Sequence, residues 1–210
     1  MEKILIAGAN GTTGKQIVEF LKNNSNYEPV AMVRKEEQKK DFEAQGVQTI
    51  LGDLEKDVSH TTKGIDKVIF AAGSGGKKVV EVDQEGAKRL IDASKKSDIK
   101  KFVMLSSMGA DAPEKSEDLQ EYLKAKHNAD VHLRESGLNY TIVRPGSLNN
   151  EGGNDAIILD AHLDKMGEIP RSDVAKTLIN ALENDRANNM TFEILEGDTP
   201  IAEAVAYANS

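Results

Sequence analysis

Apolar runs and helically spaced apolar positions alternate along almost the whole chain. Ile4 to Ala7 form a short buried-strand pattern that stops at a glycine; Ile17, Val18 and Leu21 then recur at helical spacing, and Val30 to Val33 form a second apolar run. The same alternation continues with a charged helix over Lys35 to Gln45, a strand over Val47 to Leu51, and a fourth strand over Lys67 to Phe70. Helical spacing returns from Val79 to Ser97, followed by a strand over Phe102 to Leu105 and a polar loop over Asp111 to Asp118. A helix from about Leu119 to Ser136 ends at Gly137, a fitting residue beyond a helix C-terminus. Tyr140 to Val143 make a sixth strand closed by Arg144, Pro145 and Gly146; Ser147 to Gly167 read as an irregular flap over a site. A helix starting at Ser172 or Asp173, a seventh strand over Thr191 to Leu195 and a short helix over Ile201 to Tyr207 complete the pattern. Strands that alternate with helices demand right-handed crossovers, hence an α/β fold with a mostly parallel sheet and helices on both faces. With no internal repeat and no low-complexity linker, residues 1–210 read as one domain.

The first strand-to-helix turn carries the most specific chemistry. Gly8, Gly11 and Gly14 sit between an apolar strand and an amphipathic helix, the context in which backbone amides at a helix N-terminus receive a diphosphate. Gly8 permits the tight turn, Gly11 lets the backbone approach the ligand, and Gly14 lets the helix pack on the strand. The spacing widens the first interval of the usual dinucleotide fingerprint. Asn10, Thr12 and Thr13 belong to the same expected cofactor-binding turn.

The end of the second strand chooses between the two nicotinamide dinucleotides. A carboxylate there suits the ribose hydroxyl of NAD, whereas a cation suits the 2′-phosphate of NADP. Arg34 and Lys35 occupy it, so NADP is expected over NAD; the alternative is a solvated pair neutralised by Glu36 and Glu37. Asp53 and Leu54, after the third strand, suit the adenine amine and ring; an aspartate there equally suits a helix N-cap. Ala71, Ala72 and Gly73 leave room for a flat ligand beside the fourth strand.

Composition narrows the partners. The 210 residues include no cysteine, which excludes disulfides and thiolate chemistry, and a net charge of −8 argues against nucleic acid. No apolar stretch approaches membrane-spanning length and the opening residues do not resemble a secretion signal. A cytoplasmic protein, monomer or homodimer, acting on a small molecule is expected. His60, His127, His132 and His162 offer no i, i+4 metal pair, and no metal site is expected. Met104 is assigned to the core and Met108 to a pocket wall.

Tyr122 and Lys126 lie four apart on one helix, where an ammonium lowers the pKa of a phenol and makes it a usable acid. Ser106 or Ser107, at the preceding strand end, is placed to hold a substrate oxygen.

These motifs resemble the short-chain dehydrogenase/reductase superfamily. Gly8-x-x-Gly11-x-x-Gly14 matches the glycine spacing of its extended and atypical branches, Ser107 its upstream serine, and Tyr122-x-x-x-Lys126 its Tyr-x-x-x-Lys signature. Arg144-Pro145-Gly146 is similar to the loop that its members fold over the nicotinamide. The resemblance covers nearly all of the chain and is nearest to small atypical NAD(P)-binding proteins named as epimerases or reductases. It implies a single-domain, Rossmann-like, doubly wound sheet, with Ser107, Tyr122 and Lys126 catalytic, Lys126 on the nicotinamide ribose and Pro145 beside the ring. Asp83 stands where that superfamily usually carries an asparagine, and the larger substrate domain of nucleotide-sugar epimerases is absent from this sequence. The expected activity is NADP(H)-dependent hydride transfer to a small carbonyl, quinone or flavin-like acceptor. The alternatives are a non-catalytic NADP-binding redox sensor and an NAD(P)-dependent epimerase or dehydratase.

Overall fold

A computed structural model describes residues 1–208. The chain opens β1 (Glu2–Ala7), α1 (Thr12–Lys22), β2 (Tyr27–Val33), α2 (Glu36–Glu43), β3 (Gln48–Leu51) and β4 (Lys67–Phe70). It continues through α3 (Glu85–Lys96), β5 (Lys101–Leu105), α4 (Gln120–Glu135), β6 (Tyr140–Pro145), β7 (Ser147–Asn149) and β8 (Ala156–Asp160). β9 (Glu168–Pro170), α5 (Arg171–Glu183), β10 (Met190–Glu196), β11 (Thr199–Pro200) and α6 (Ile201–Ala206) complete it. The main sheet runs β3-β2-β1-β4-β5-β6-β10-β8-β11, parallel as far as β10 and antiparallel beyond it. This is a Rossmann-like α/β fold. Strand order reverses at β1, which pairs with β2 on one side and β4 on the other. In an open parallel sheet the carboxyl ends of the strands at that reversal frame the ligand crevice.

The two-residue period of the strands sorts the core into two layers. Ile4 and Ile6 join Ile17, Leu21, Phe42, Leu178 and Val205 on the face covered by α1, α2, α5 and α6. Leu5 and Ala7 join Leu90, Ile91, Ala129 and Leu133 on the face covered by α3 and α4. Strands buried on both faces are apolar at nearly every position, which is why the pattern along β1, β2 and β5 is continuous.

Three expectations are corrected. Ser147 to Gly167 is not an irregular flap: it contains β7 and β8, and β8 lies within the main sheet with Ile157 fully buried. The helical stretch after Lys78 opens as a π-helical turn over Val79–Gln84 before α3 begins. α5 starts at Arg171, earlier than expected, and Asp173 is buried inside it, where its carboxylate accepts from the amides of Asn154 (3.1 Å) and Asp155 (3.2 Å).

At the opposite sheet end from the crevice, Lys101 opens β5 only 3% exposed, its ammonium donating to the Asn184 carbonyl at 2.8 Å. Burial lowers its pKa from 10.5 to about 8. Between those values the unfolded chain binds the proton that the folded chain releases, so this group adds stability as pH rises through the window. Compared with Lys101→Met, the wild type should gain up to about 3 kcal/mol between pH 7.5 and 10.5. Denaturant unfolding at several pH values measures it; identical pH dependence in both proteins would contradict the assignment.

Candidate functional site

Backbone sterics explain the glycines. Gly8 has φ +86°, and a Cβ there would lie 2.6 Å from the backbone of Ala72. The turn out of β1 therefore abuts the Ala71-Ala72-Gly73 segment, itself tied to β1 by the Ala71 amide donating to the Ala7 carbonyl at 2.9 Å. At Gly14 a Cβ would stand 2.1 Å from the Gly8 carbonyl oxygen, so α1 rests directly on the turn. The Gly11 amide donates to that same oxygen at 2.9 Å, and Gly11 precedes α1 with extended backbone. No side chain caps α1 and no acidic residue lies in its first turn. The leading amides of the helix, at Thr12, Thr13 and Gly14, thus have no side-chain cap and no acidic residue in their own turn, while the helix dipole favours an anion there.

Arg34 and Lys35 follow β2 as exposed residues. The Gln38 side-chain oxygen accepts from both of their amides, at 3.1 and 3.2 Å, and fixes the start of α2. Neither cation forms an ion pair among the described residues; Glu36 approaches Lys39 instead, at 4.0 Å. Asp53 caps no helix. Its carboxylate accepts from the Glu55 amide at 3.1 Å within a tight turn. Leu54 turns inward, 7% exposed among Leu5, Ala7 and Phe70, and packs against Gly86, where a Cβ would lie 2.8 Å away.

The two serines at the end of β5 separate. Ser106 is buried and donates to Asp130 at 2.9 Å, whereas Ser107 is half-buried and donates to the Met108 carbonyl at 3.1 Å. Asp130 also accepts from Arg144 Nε at 3.1 Å and Nη2 at 2.9 Å. Burial pushes the Asp130 carboxyl up, against the pull of Arg144 and the Ser106 hydroxyl. Arg144 is thereby committed to holding α4 against β6, and Pro145 accepts from the Met108 amide at 3.0 Å, which joins the loops after β5 and β6.

On α4, Lys126 is 3% exposed, donates to the Leu105 carbonyl at 3.1 Å, and lies 5.7 Å from the Tyr122 ring centroid. Lys126 is thus fixed to the strand end that carries Ser107, and Tyr122 stands one turn earlier, half-buried. Asp83 faces Lys126 at 3.7 Å and accepts from the Ser74 amide at 3.0 Å. Sequence reasoning missed Asp130; its signal was the four-residue spacing that continues Tyr122 and Lys126 along one helix face. A cavity of about 480 Å³ shares Gly167 and Leu195 with the packing around Gly146. His127 and His132 are engaged with the Ala110 carbonyl and Asp92.

Comparison with known proteins defines the class. A family model described as NAD(P)H-binding matches residues 8–185, and the chain belongs to that family. It is 43% identical to the Bacillus subtilis protein named uncharacterized sugar epimerase YhfK, over 97% of this chain and 98% of that one. It is 28% identical to sanguinarine reductase of Eschscholzia californica, over 96% of this chain and 91% of that one. A Bacillus halodurans structure, provisionally described as an NAD-dependent epimerase/dehydratase, superposes with a TM-score of 0.94 at 39% identity, covering 99% of this chain and all of that one. The uncapped α1 terminus, with no acidic residue in its first turn, fits a dinucleotide diphosphate. No helix among the described residues is long and apolar enough to cross a membrane.

Proposed function

We propose that this protein is an NADP(H)-dependent oxidoreductase that reduces a small carbonyl, quinone or flavin-like acceptor in the cytoplasm, as a monomer or homodimer. The observation that carries the reading is the placement of Lys126, buried between Tyr122 and the Leu105 carbonyl at the β5 end that bears Ser107. Gly8, Asn10, Gly11, Thr12, Thr13 and Gly14 would hold the diphosphate, Arg34 and Lys35 the 2′-phosphate, and Asp53 and Leu54 the adenine end. Ala71, Ala72 and Gly73 would form the wall beside the dinucleotide, Lys126 would donate to the nicotinamide ribose, and Pro145 would border the ring. When bound, the reduced dinucleotide supplies a hydride, two electrons with one hydrogen, to the acceptor. Ser107 would orient the acceptor oxygen and Tyr122 would give it a proton, with Lys126 stabilising the phenolate left behind.

Cofactor choice is the direct test. Arg34→Ala should weaken NADPH binding by about 10- to 100-fold, the range for losing charge-assisted hydrogen bonds to phosphate, and leave NADH binding nearly unchanged. Parallel losses for the two dinucleotides in a fluorescence titration would refute the role of Arg34.

A further inference from the structure

The carboxylate of Asp83 has no part in the roles assigned so far, yet it is 1% exposed at the wall of the crevice. It lies in the π-helical turn Val79–Gln84, a rare form concentrated at functional sites. One oxygen accepts from the Ser74 amide at 3.0 Å; the other accepts no hydrogen bond and stands 3.7 Å from the Lys126 ammonium. A Cβ at Gly73 would lie 3.5 Å from that second oxygen. A single side chain therefore touches both the segment beside the glycine turn and the buried lysine. Holding the Ser74 amide needs only an acceptor, which an asparagine also offers, and Lys126 already donates to Leu105. The property peculiar to aspartate is its negative charge. A buried charge is costly unless it is compensated, and Lys126 and Asp83 compensate each other.

The two redox forms of a nicotinamide dinucleotide differ by one positive charge on the ring. An isolated Lys126 ammonium would repel the cationic oxidised ring; the Asp83 carboxylate cancels that repulsion. We propose that Asp83 sets the direction of hydride transfer: by neutralising Lys126 it keeps the oxidised dinucleotide well bound, which makes the bound reduced form a stronger donor. This inference rests on the proposed NADP(H) reading, with Lys126 at the nicotinamide ribose, and deepens it. An epimerase must first draw hydride from its substrate onto the oxidised ring, a step that this charge arrangement opposes. Asp83 therefore favours net reduction of an acceptor.

The test is the ratio of NADP⁺ to NADPH dissociation constants, measured by calorimetric titration at fixed salt. Asp83→Asn should weaken NADP⁺ relative to NADPH by about tenfold, the scale of one partly screened charge. Lys126→Met, which leaves the carboxylate uncompensated, should shift the ratio about tenfold the other way. A loss of structure alone weakens both forms together and leaves the ratio where it was. Wild-type ratios in both variants would overturn the proposal; should Asp83→Asn fail to fold, an unchanged ratio in Lys126→Met suffices to overturn it. Absence of binding of either form to the wild type would instead overturn the NADP(H) reading, and this inference with it.

Discussion

Gly14→Ala is expected to abolish measurable binding of nicotinamide dinucleotides and to destabilise the fold by about 3 kcal/mol, the upper part of the range for overpacking. The added methyl would stand 2.1 Å from the Gly8 carbonyl oxygen. A backbone oxygen cannot swing aside as a flexible side chain does, so α1 must lift away from the end of β1. Ala9, fully buried between them, would lose contacts in the same movement. The amides of Thr12, Thr13 and Gly14 ride on that helix end, so the proposed diphosphate cradle opens with the packing defect. For a domain of this size the melting temperature should fall by about 6–12 °C, leaving a folded protein for the titration. Wild-type melting together with wild-type affinity would contradict the tight-packing assignment.

Tyr122→Phe is expected to lower turnover by about 100- to 1,000-fold, within the range for removing a general acid, while NADPH affinity stays close to that of the wild type. The ring that faces the Lys126 ammonium remains in this variant; only the hydroxyl is lost. Lys126 keeps its hydrogen bond to Leu105 and its neighbour Asp83, which confines the effect to proton delivery. Undiminished turnover with every acceptor that the wild type reduces would remove Tyr122 as the acid and leave hydride transfer with a solvent proton.

The glycine turn and the parallel strands were legible in the sequence because backbone sterics and double-sided burial dictate residue type there. Gly8 and Gly14 have no space for a side chain, and β1, β2, β4 and β5 are continuous apolar runs. β8 was hidden because Ala156–Asp160 is short and flanked by Gly152, Gly153 and Asn154, the composition of a loop; its pairing with β10 supplies what local sequence does not. The π-helical turn escaped for a similar reason. Val79 to Ser97 keeps helical spacing throughout, and the widened turn lies in the backbone of Val79–Gln84, which residue type does not specify. Position at the strand end left Ser106 and Ser107 equivalent, and only the family resemblance singled out Ser107. The buried Asp130 on α4 separates them by engaging the first and leaving the second half-buried at the crevice. Leu54 is ambiguous along the chain, since an apolar residue after a strand suits a ligand ring and a core equally; its inner side packs on Gly86.

Calorimetric titration of the wild-type chain with NADPH and, separately, NADH decides whether the turn between β1 and α1 holds a nicotinamide dinucleotide and which one. Saturable binding of one NADPH per chain is expected, with NADH at least about tenfold weaker because it lacks the phosphate assigned to Arg34 and Lys35. No heat of binding from either dinucleotide, on folded protein, would contradict it.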